Sequence, residues 1–84
     1  MQFSALSLDS NRINVIGSYS VRQDETIVIE LEKKLTKSFI QQHTSKNIQR
    51  IRIHTADQQT TAIVFRGPFR MSEQYGILIF EREL

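Results

Sequence analysis

The sequence predicts an α+β fold, in which a curved, mostly antiparallel sheet of about six short strands carries one helix. Hydrophobic and polar residues alternate through most of the chain, as they do in strands with one buried face. This alternation changes to a helical spacing near the middle, and clusters of turn-forming residues separate the segments. The predicted order is therefore β-β-β-α-β-β-β, with a small barrel plugged by the helix as the alternative architecture.

Three strands are predicted before the helix. Asp9-Ser10-Asn11, whose side chains bond readily to nearby backbone, turns the chain between the first two. The polar segment 22–25 separates the second from the third. The third strand alternates strictly, with Ile27, Ile29 and Leu31 on one face. The predicted strands span residues 2–8, 12–20 and 26–32.

The predicted helix runs from about Lys33 to about Ser45. Leu35, Phe39 and Ile40 follow one another at helical spacings and form a narrow apolar stripe. A stripe this narrow favours a helix that lies on a sheet. Since the connection through the helix is long enough for a crossover, the strands before and after it are expected to lie parallel.

Three more strands are predicted after the helix. Asp57-Gln58-Gln59 turns the chain after the first of them, and Gly67-Pro68 breaks it again because proline cannot donate to a strand ladder. Phe65 and Phe69 flank this corner, either as plugs for the ends of the core, which we favour, or as part of an exposed recognition loop. The predicted strands span residues 48–54, 60–66 and 75–84.

The last strand is apolar on both faces, and such a strand needs cover on both sides. The single predicted helix covers one face of the sheet, so a partner is expected to cover the other. We therefore expect a protein-protein interaction or assembly module that binds a second copy of itself or docks on a larger protein. The predicted interface residues are Ile16, Val64, Ile77, Leu78, Ile79 and Phe80.

Basic and aromatic residues suggest an alternative function, a small nucleic-acid-binding domain. Arginine side chains bind phosphate groups and aromatic rings stack on bases. The strand at 48–54 places two arginines and His54 on its outward face, and two more arginines follow beside phenylalanines around Gly67-Pro68. The residues predicted for this function are Arg50, Arg52, Arg66, Phe69, Arg70 and Tyr75.

A simpler interpretation of the basic strand competes with phosphate binding. If strands 26–32 and 48–54 pair in parallel, the outward Glu30 and Glu32 lie beside the outward Arg50 and Arg52. Opposite charges would then neutralise each other across the strands. Because most surface charges pair or are solvated, we favour this interpretation over phosphate binding.

Composition limits the remaining choices. The length of 84 residues predicts a single domain spanning 1–84. The 11 Lys and Arg exceed the 9 Asp and Glu by only two charges, which permits nucleic-acid binding without implying it. The sequence contains no cysteine, which fits a reducing compartment. The absence of signal-peptide features and of long apolar runs predicts a cytoplasmic protein without membrane segments.

The sequence carries no pattern typical of an enzyme, so we expect a non-catalytic protein with no cofactor and no metal. His43 and His54 lack the spacing of a metal site. Gly17, Gly67 and Gly76 are too scattered to form a phosphate-cradling loop. The serines include no nucleophile elbow.

Overall fold

The computed structural model describes residues 2–55 and 62–83, which form seven strands and one helix. The predicted turn at Asp57-Gln58-Gln59 and the predicted strand start at Thr60 lie outside these residues. The elements are β1 (Gln2–Leu8), β2 (Asn11–Ile13), β3 (Gly17–Val21), β4 (Ile27–Leu31), α1 (Lys37–Thr44), β5 (Asn47–Thr55), β6 (Ala62–Gln74) and β7 (Ile77–Arg82).

The strands form one sheet in the order β2-β1-β3-β4-β7-β6-β5, and every described pair is antiparallel. β1 pairs with β5 as well as with β2 and β3. The sheet therefore curves until β5, at its far end, lies beside β1. The predicted fold class, a mostly antiparallel curved sheet with one helix, is confirmed.

The expected parallel pairing of the strands on either side of the helix is wrong. β4 pairs with β3 and β7, whereas β5 pairs with β1 and β6. The chain after the helix continues as an antiparallel run through β5, β6 and β7, and β7 then occupies the free edge of β4. Two strands consequently separate β4 from β5 on that side.

The predicted second strand, 12–20, is divided into β2 and β3, and both pair with the same edge of β1. Ile13 lies opposite Leu6, and Gly17 lies opposite Phe3. A side chain at Gly17 would collide with the backbone carbonyl oxygen of Glu30. Glycine therefore allows β3 and β4 to approach closely where β3 begins.

The predicted break at Gly67-Pro68 is also wrong, because β6 runs through it as a continuous strand. The Gly67–Pro68 peptide bond is cis. The register with β5 shifts at this point, between Ile48 and Arg50, so the strands remain paired on both sides of the irregularity. The strand ends at a tight turn, where Tyr75 and Gly76 have φ angles of 53° and 81°, suited to a two-residue hairpin.

The sheet encloses a core to which each of its longer strands contributes alternate residues. Leu35, Phe39 and Ile40 pack against this core, as the apolar stripe predicts. The helix begins at Lys37, later than predicted, because Thr36 caps it by accepting a hydrogen bond from the Phe39 amide at 3.2 Å. The core residues with no exposed surface are Phe3, Leu6, Leu8, Ile27, Ile29, Ile48, Ile51, Ile53, Phe69 and Phe80, and Met71 and Leu78 are each 1% exposed.

A fully buried histidine fastens the helix to the sheet. His43 Nδ1 donates to the Phe39 carbonyl oxygen at 2.9 Å, and its Nε2 accepts from Asn11 Nδ2 at 3.2 Å. A carbonyl oxygen can only accept, so Nδ1 is the donor in the contact with Phe39. The ring also stacks on Phe39, with the ring centres 4.1 Å apart. His43 thus has a structural role that its position in the sequence does not reveal.

Candidate functional site

The outward surface of β2, β5 and β6 carries Arg12, Arg50, Arg52 and Arg66, and we call this surface the basic face. On β5, the buried Ile51 and Ile53 alternate with the arginines, which therefore point away from the core. Arg12 points outward because its neighbour Ile13 packs against the core. Arg66 is exposed on β6.

The strand register places the arginines of the basic face side by side. Arg50 lies directly opposite Arg66. Ser7 lies between Arg12 and Arg52, opposite one on β2 and opposite the other on β5. Residues directly opposite across a strand pair have Cβ atoms only about 5 Å apart. The register thus concentrates positive charge on one part of the surface.

The predicted neutralisation of Arg50 and Arg52 by Glu30 and Glu32 is wrong. Glu30 lies opposite Ser18 and Ile77, on strands that do not adjoin β5. Among the residues that the structure describes, the ion pairs join Arg70 to Glu83 at 2.7 Å and Arg82 to Glu25 at 3.3 Å. Arg12 donates instead to an amide, with its Nε 3.5 Å from Asn14 Oδ1. No described carboxylate forms an ion pair with the basic face.

A carboxylate does lie at the margin of the basic face, but it bonds to backbone. Asp9 Oδ1 accepts hydrogen bonds from the amides of Gln49 and Arg50, at 2.9 and 3.0 Å. These bonds tie the turn between β1 and β2 to the irregular part of β5. Asp9 and Ser10 also line an open depression of about 280 Å³ together with Gln49, Arg50 and Arg52.

His54 lies next to Arg52 on the outward face of β5, half-buried. Its Nε2 is 3.4 Å from the hydroxyl of Ser7. Desolvation lowers the pKa of His54 below its ordinary value of 6.5, and the positive charges of Arg12 and Arg52 lower that pKa further. The imidazole is therefore neutral at physiological pH. It supplies a polar group to the basic face without adding charge.

Sequence reasoning missed Ser7 and Arg12 as members of this face. Arg12 lies on a strand of only three residues, which is too short for its alternation to be recognised. Ser7 is inconspicuous in any strand, and its position depends entirely on its neighbours in the register. His54 continues the alternation of Arg50 and Arg52, and this alternation correctly predicts that it lies on their face.

Three of the residues predicted for nucleic-acid binding do not join the basic face. Phe69 is fully buried in the core, and the Arg82 guanidinium covers its ring at 4.8 Å from the ring centre. Arg70 is paired with Glu83. Tyr75 is 95% exposed, but it lies at the turn between β6 and β7. The predicted stacking of bases on Phe69 is therefore wrong.

The predicted interface on the last strand divides between the core and the surface. Leu78 and Phe80 are buried in the core, with exposed fractions of 1% and 0%, so their assignment to an interface is wrong. Their side chains cover the inside of the curved sheet. Ile77 and Ile79 point outward and are half-buried, and Ile79 lies opposite Val28.

The two remaining interface residues lie elsewhere. Val64 is 44% exposed and faces outward directly opposite Arg52, so it belongs to the basic face. Ile16 is 54% exposed and lies in the connection between β2 and β3. The predicted residues therefore do not make one continuous apolar patch.

Within the described ranges, no three His, Cys, Asp or Glu side chains are grouped so that they could hold a metal ion. No helix in that part of the chain has the length and apolar character needed to cross a membrane. No family model, curated protein or solved structure matches this chain. Among the described residues, the basic face is the surface whose geometry bears most directly on function.

Proposed function

We propose that this chain is a non-catalytic nucleic-acid-binding module whose basic face contacts the phosphate backbone. The observation that carries the proposal is the pairing of Arg50 with Arg66, without an ion pair to any described carboxylate. Like charges directly opposite each other destabilise a sheet. A bound polyanion would offset this repulsion, which gives the arrangement a physical purpose.

The chemistry of the basic face suits phosphate groups better than bases. Each guanidinium presents a planar set of N–H donors that can hold two oxygens of one phosphate. The aromatic residues predicted to stack on bases lie in the core or at the hairpin turn between β6 and β7. Contacts to phosphate position a protein without distinguishing sequence. We therefore propose binding with little sequence preference and strong dependence on salt.

A charge placed inside the basic face tests this proposal directly. Val64 is partly exposed opposite Arg52, so Val64→Glu introduces a carboxylate that can pair with that arginine. Val64→Gln has the same shape without the charge and serves as the matched control. In fluorescence anisotropy with labelled duplex and single-stranded DNA and RNA, we expect Val64→Glu to lose about tenfold in affinity, as one lost charged contact predicts. Equal affinities for the two variants, or no binding by the wild type at low salt, would refute the proposal.

The salt dependence separates the basic face from diffuse attraction. Removing one phosphate-contacting arginine, by Arg52→Gln or Arg66→Gln, should reduce the slope of log affinity against log salt by about one for a duplex. Lys34→Gln removes the same charge from the exposed segment between β4 and α1. The control variant should keep the wild-type slope. If Lys34→Gln reduces the slope as much as the arginine variants do, net charge and not the basic face controls binding.

A protein-protein interaction module remains the competing proposal. Its remaining support is that Ile77 and Ile79 point outward and are half-buried. Light scattering at low and high salt decides between the two. A monomer agrees with the nucleic-acid proposal. A dimer that persists in high salt and dissociates in Ile79→Lys would favour assembly through the sheet.

A further inference from the structure

We infer that the basic face contains a subsite for one phosphate group, formed by Ser7, Arg12, Arg52 and His54, and that filling it is coupled to the uptake of a proton by His54. The inference depends on the proposed function, because the phosphate belongs to the nucleic acid that the basic face binds. It adds to that function a defined position for one phosphate and a dependence on pH.

The strand register builds the subsite around a short side chain. Ser7 has an exposed fraction of 7% and lies directly between Arg12 and Arg52, which stand on the strands at either side. Those two strands are about 10 Å apart, so both long side chains can reach one anion above the serine. The Ser7 hydroxyl lies between the two arginines and is a further donor in the subsite.

The surroundings of His54 contain positive but no described negative groups. Arg12 on β2 and Arg52 on β5 act on its charge. β1 contributes the uncharged Ala5 and Ser7, and on β6 the residue opposite is Ala62, also uncharged. With the subsite empty, protonation of His54 would add a third positive charge beside those of Arg12 and Arg52.

A phosphate in the subsite would reverse this electrostatic effect. Its negative charge would favour the protonated imidazole, with the proton taken from solvent. His54 Nε2 now shares a hydrogen bond with the Ser7 hydroxyl at 3.4 Å. Once protonated, Nε2 would donate to a phosphate oxygen, and the hydroxyl would be free to donate to the same group. No covalent bond forms or breaks in this exchange.

The dependence of affinity on pH tests the coupling. A suitable probe is a labelled oligothymidylate of about 20 nucleotides, longer than one small binding site. We expect affinity to rise as the pH falls from the pKa of His54 in the complex to its pKa in the free protein, which lies below 6.5. The rise should be about tenfold for each unit between these two pKa values. His54→Gln should lose this rise, so that its affinity changes little over the same pH range. A rise that persists in His54→Gln would overturn the coupling.

NMR provides a test on the unaltered protein. The imidazole proton signals of His54, followed against pH with and without the oligothymidylate, should titrate at higher pH in the complex. Identical titrations in the free and bound protein would overturn the inference. The two proposals fail differently: absence of binding at every pH removes the proposed function, whereas binding that requires Arg52 and Arg66 but ignores pH removes only the coupling.

Discussion

Arg50 and Arg66 stand directly opposite each other across β5 and β6, with no described carboxylate paired to either guanidinium. A single arginine at an outward strand position is common, whereas two arginines directly opposite each other destabilise the sheet. Arg52 and Arg12 extend the same surface on either side of Ser7. This relationship is the physical basis of the proposed function.

Replacing one member of the pair should stabilise the fold while weakening binding. Arg66→Gln removes the repulsion with Arg50 and is expected to raise the free energy of unfolding by about 0.2–1 kcal/mol. Urea denaturation measures this change. Arg70→Gln, on the same strand, breaks the ion pair with Glu83 and should not stabilise the protein. A loss of stability in Arg66→Gln would contradict the repulsion.

Asp9 should contribute to stability through its oxygen atom and oppose binding through its charge. Asp9→Asn keeps an acceptor for the Gln49 and Arg50 amides and tolerates the positive φ of 55°. We expect tighter binding of DNA with nearly unchanged stability. Asp9→Ala leaves both amides without this acceptor and should lower the free energy of unfolding by about 1–3 kcal/mol. Similar stabilities for the two variants would argue against this role of the oxygen.

The buried His43 should be important for stability and not for binding. His43→Ala removes the ring that stacks on Phe39 and leaves Asn11 without its acceptor, so we expect a loss of about 2–4 kcal/mol. Gln42→Ala changes an exposed neighbour in the same helix and should leave stability nearly unchanged. Thermal or urea unfolding measures both. Equal stabilities would show that His43 does not fasten the helix to the sheet.

The stability of the free protein should fall as pH decreases below about 6.5, the unfolded-state pKa of histidine. Folding lowers the pKa of His54, so the unfolded chain becomes protonated at a higher pH than the folded protein does. The unfolded state is therefore favoured at pH values between the unfolded-state and folded-state pKa values. The contribution of neutral His54 to the free energy of unfolding is fully present above pH 6.5 and is lost as the pH falls towards the folded-state pKa. Urea denaturation across this range should show a smaller decrease for His54→Gln. An identical pH dependence in the variant would contradict the assignment.

Gly67 is required by the close approach of β5. A side chain at this position would collide with the carbonyl oxygen of Ile48, and it would crowd the backbone of Phe69 at 2.7 Å. We expect Gly67→Ala to lower the free energy of unfolding by about 1–3 kcal/mol. Ser72→Ala, at an exposed position of the same strand, serves as the control. Wild-type stability in Gly67→Ala would mean that the strands separate there without penalty.

Much of the fold was predictable because it depends on short segments of sequence. The strict alternation of Ile27, Ile29 and Leu31 identifies β4, and the spacing of Phe39 and Ile40 identifies α1. The break predicted at Gly67-Pro68 was wrong because the missing N–H of proline matters only where the neighbouring strand would accept a hydrogen bond from it. The register with β5 shifts at that point.

The sequence by itself determined that Arg50 and Arg52 point outward, because they alternate with Ile51 and Ile53 along a single strand. It could not determine which residues stand opposite them, because strand pairing joins segments far apart in the chain. Only the tertiary structure decided that the neighbours of these arginines are Ser7 and Arg66, and not Glu30 and Glu32. Antiparallel pairing of β5 with β1 and β6 keeps β4 away, and the basic face therefore keeps its charge.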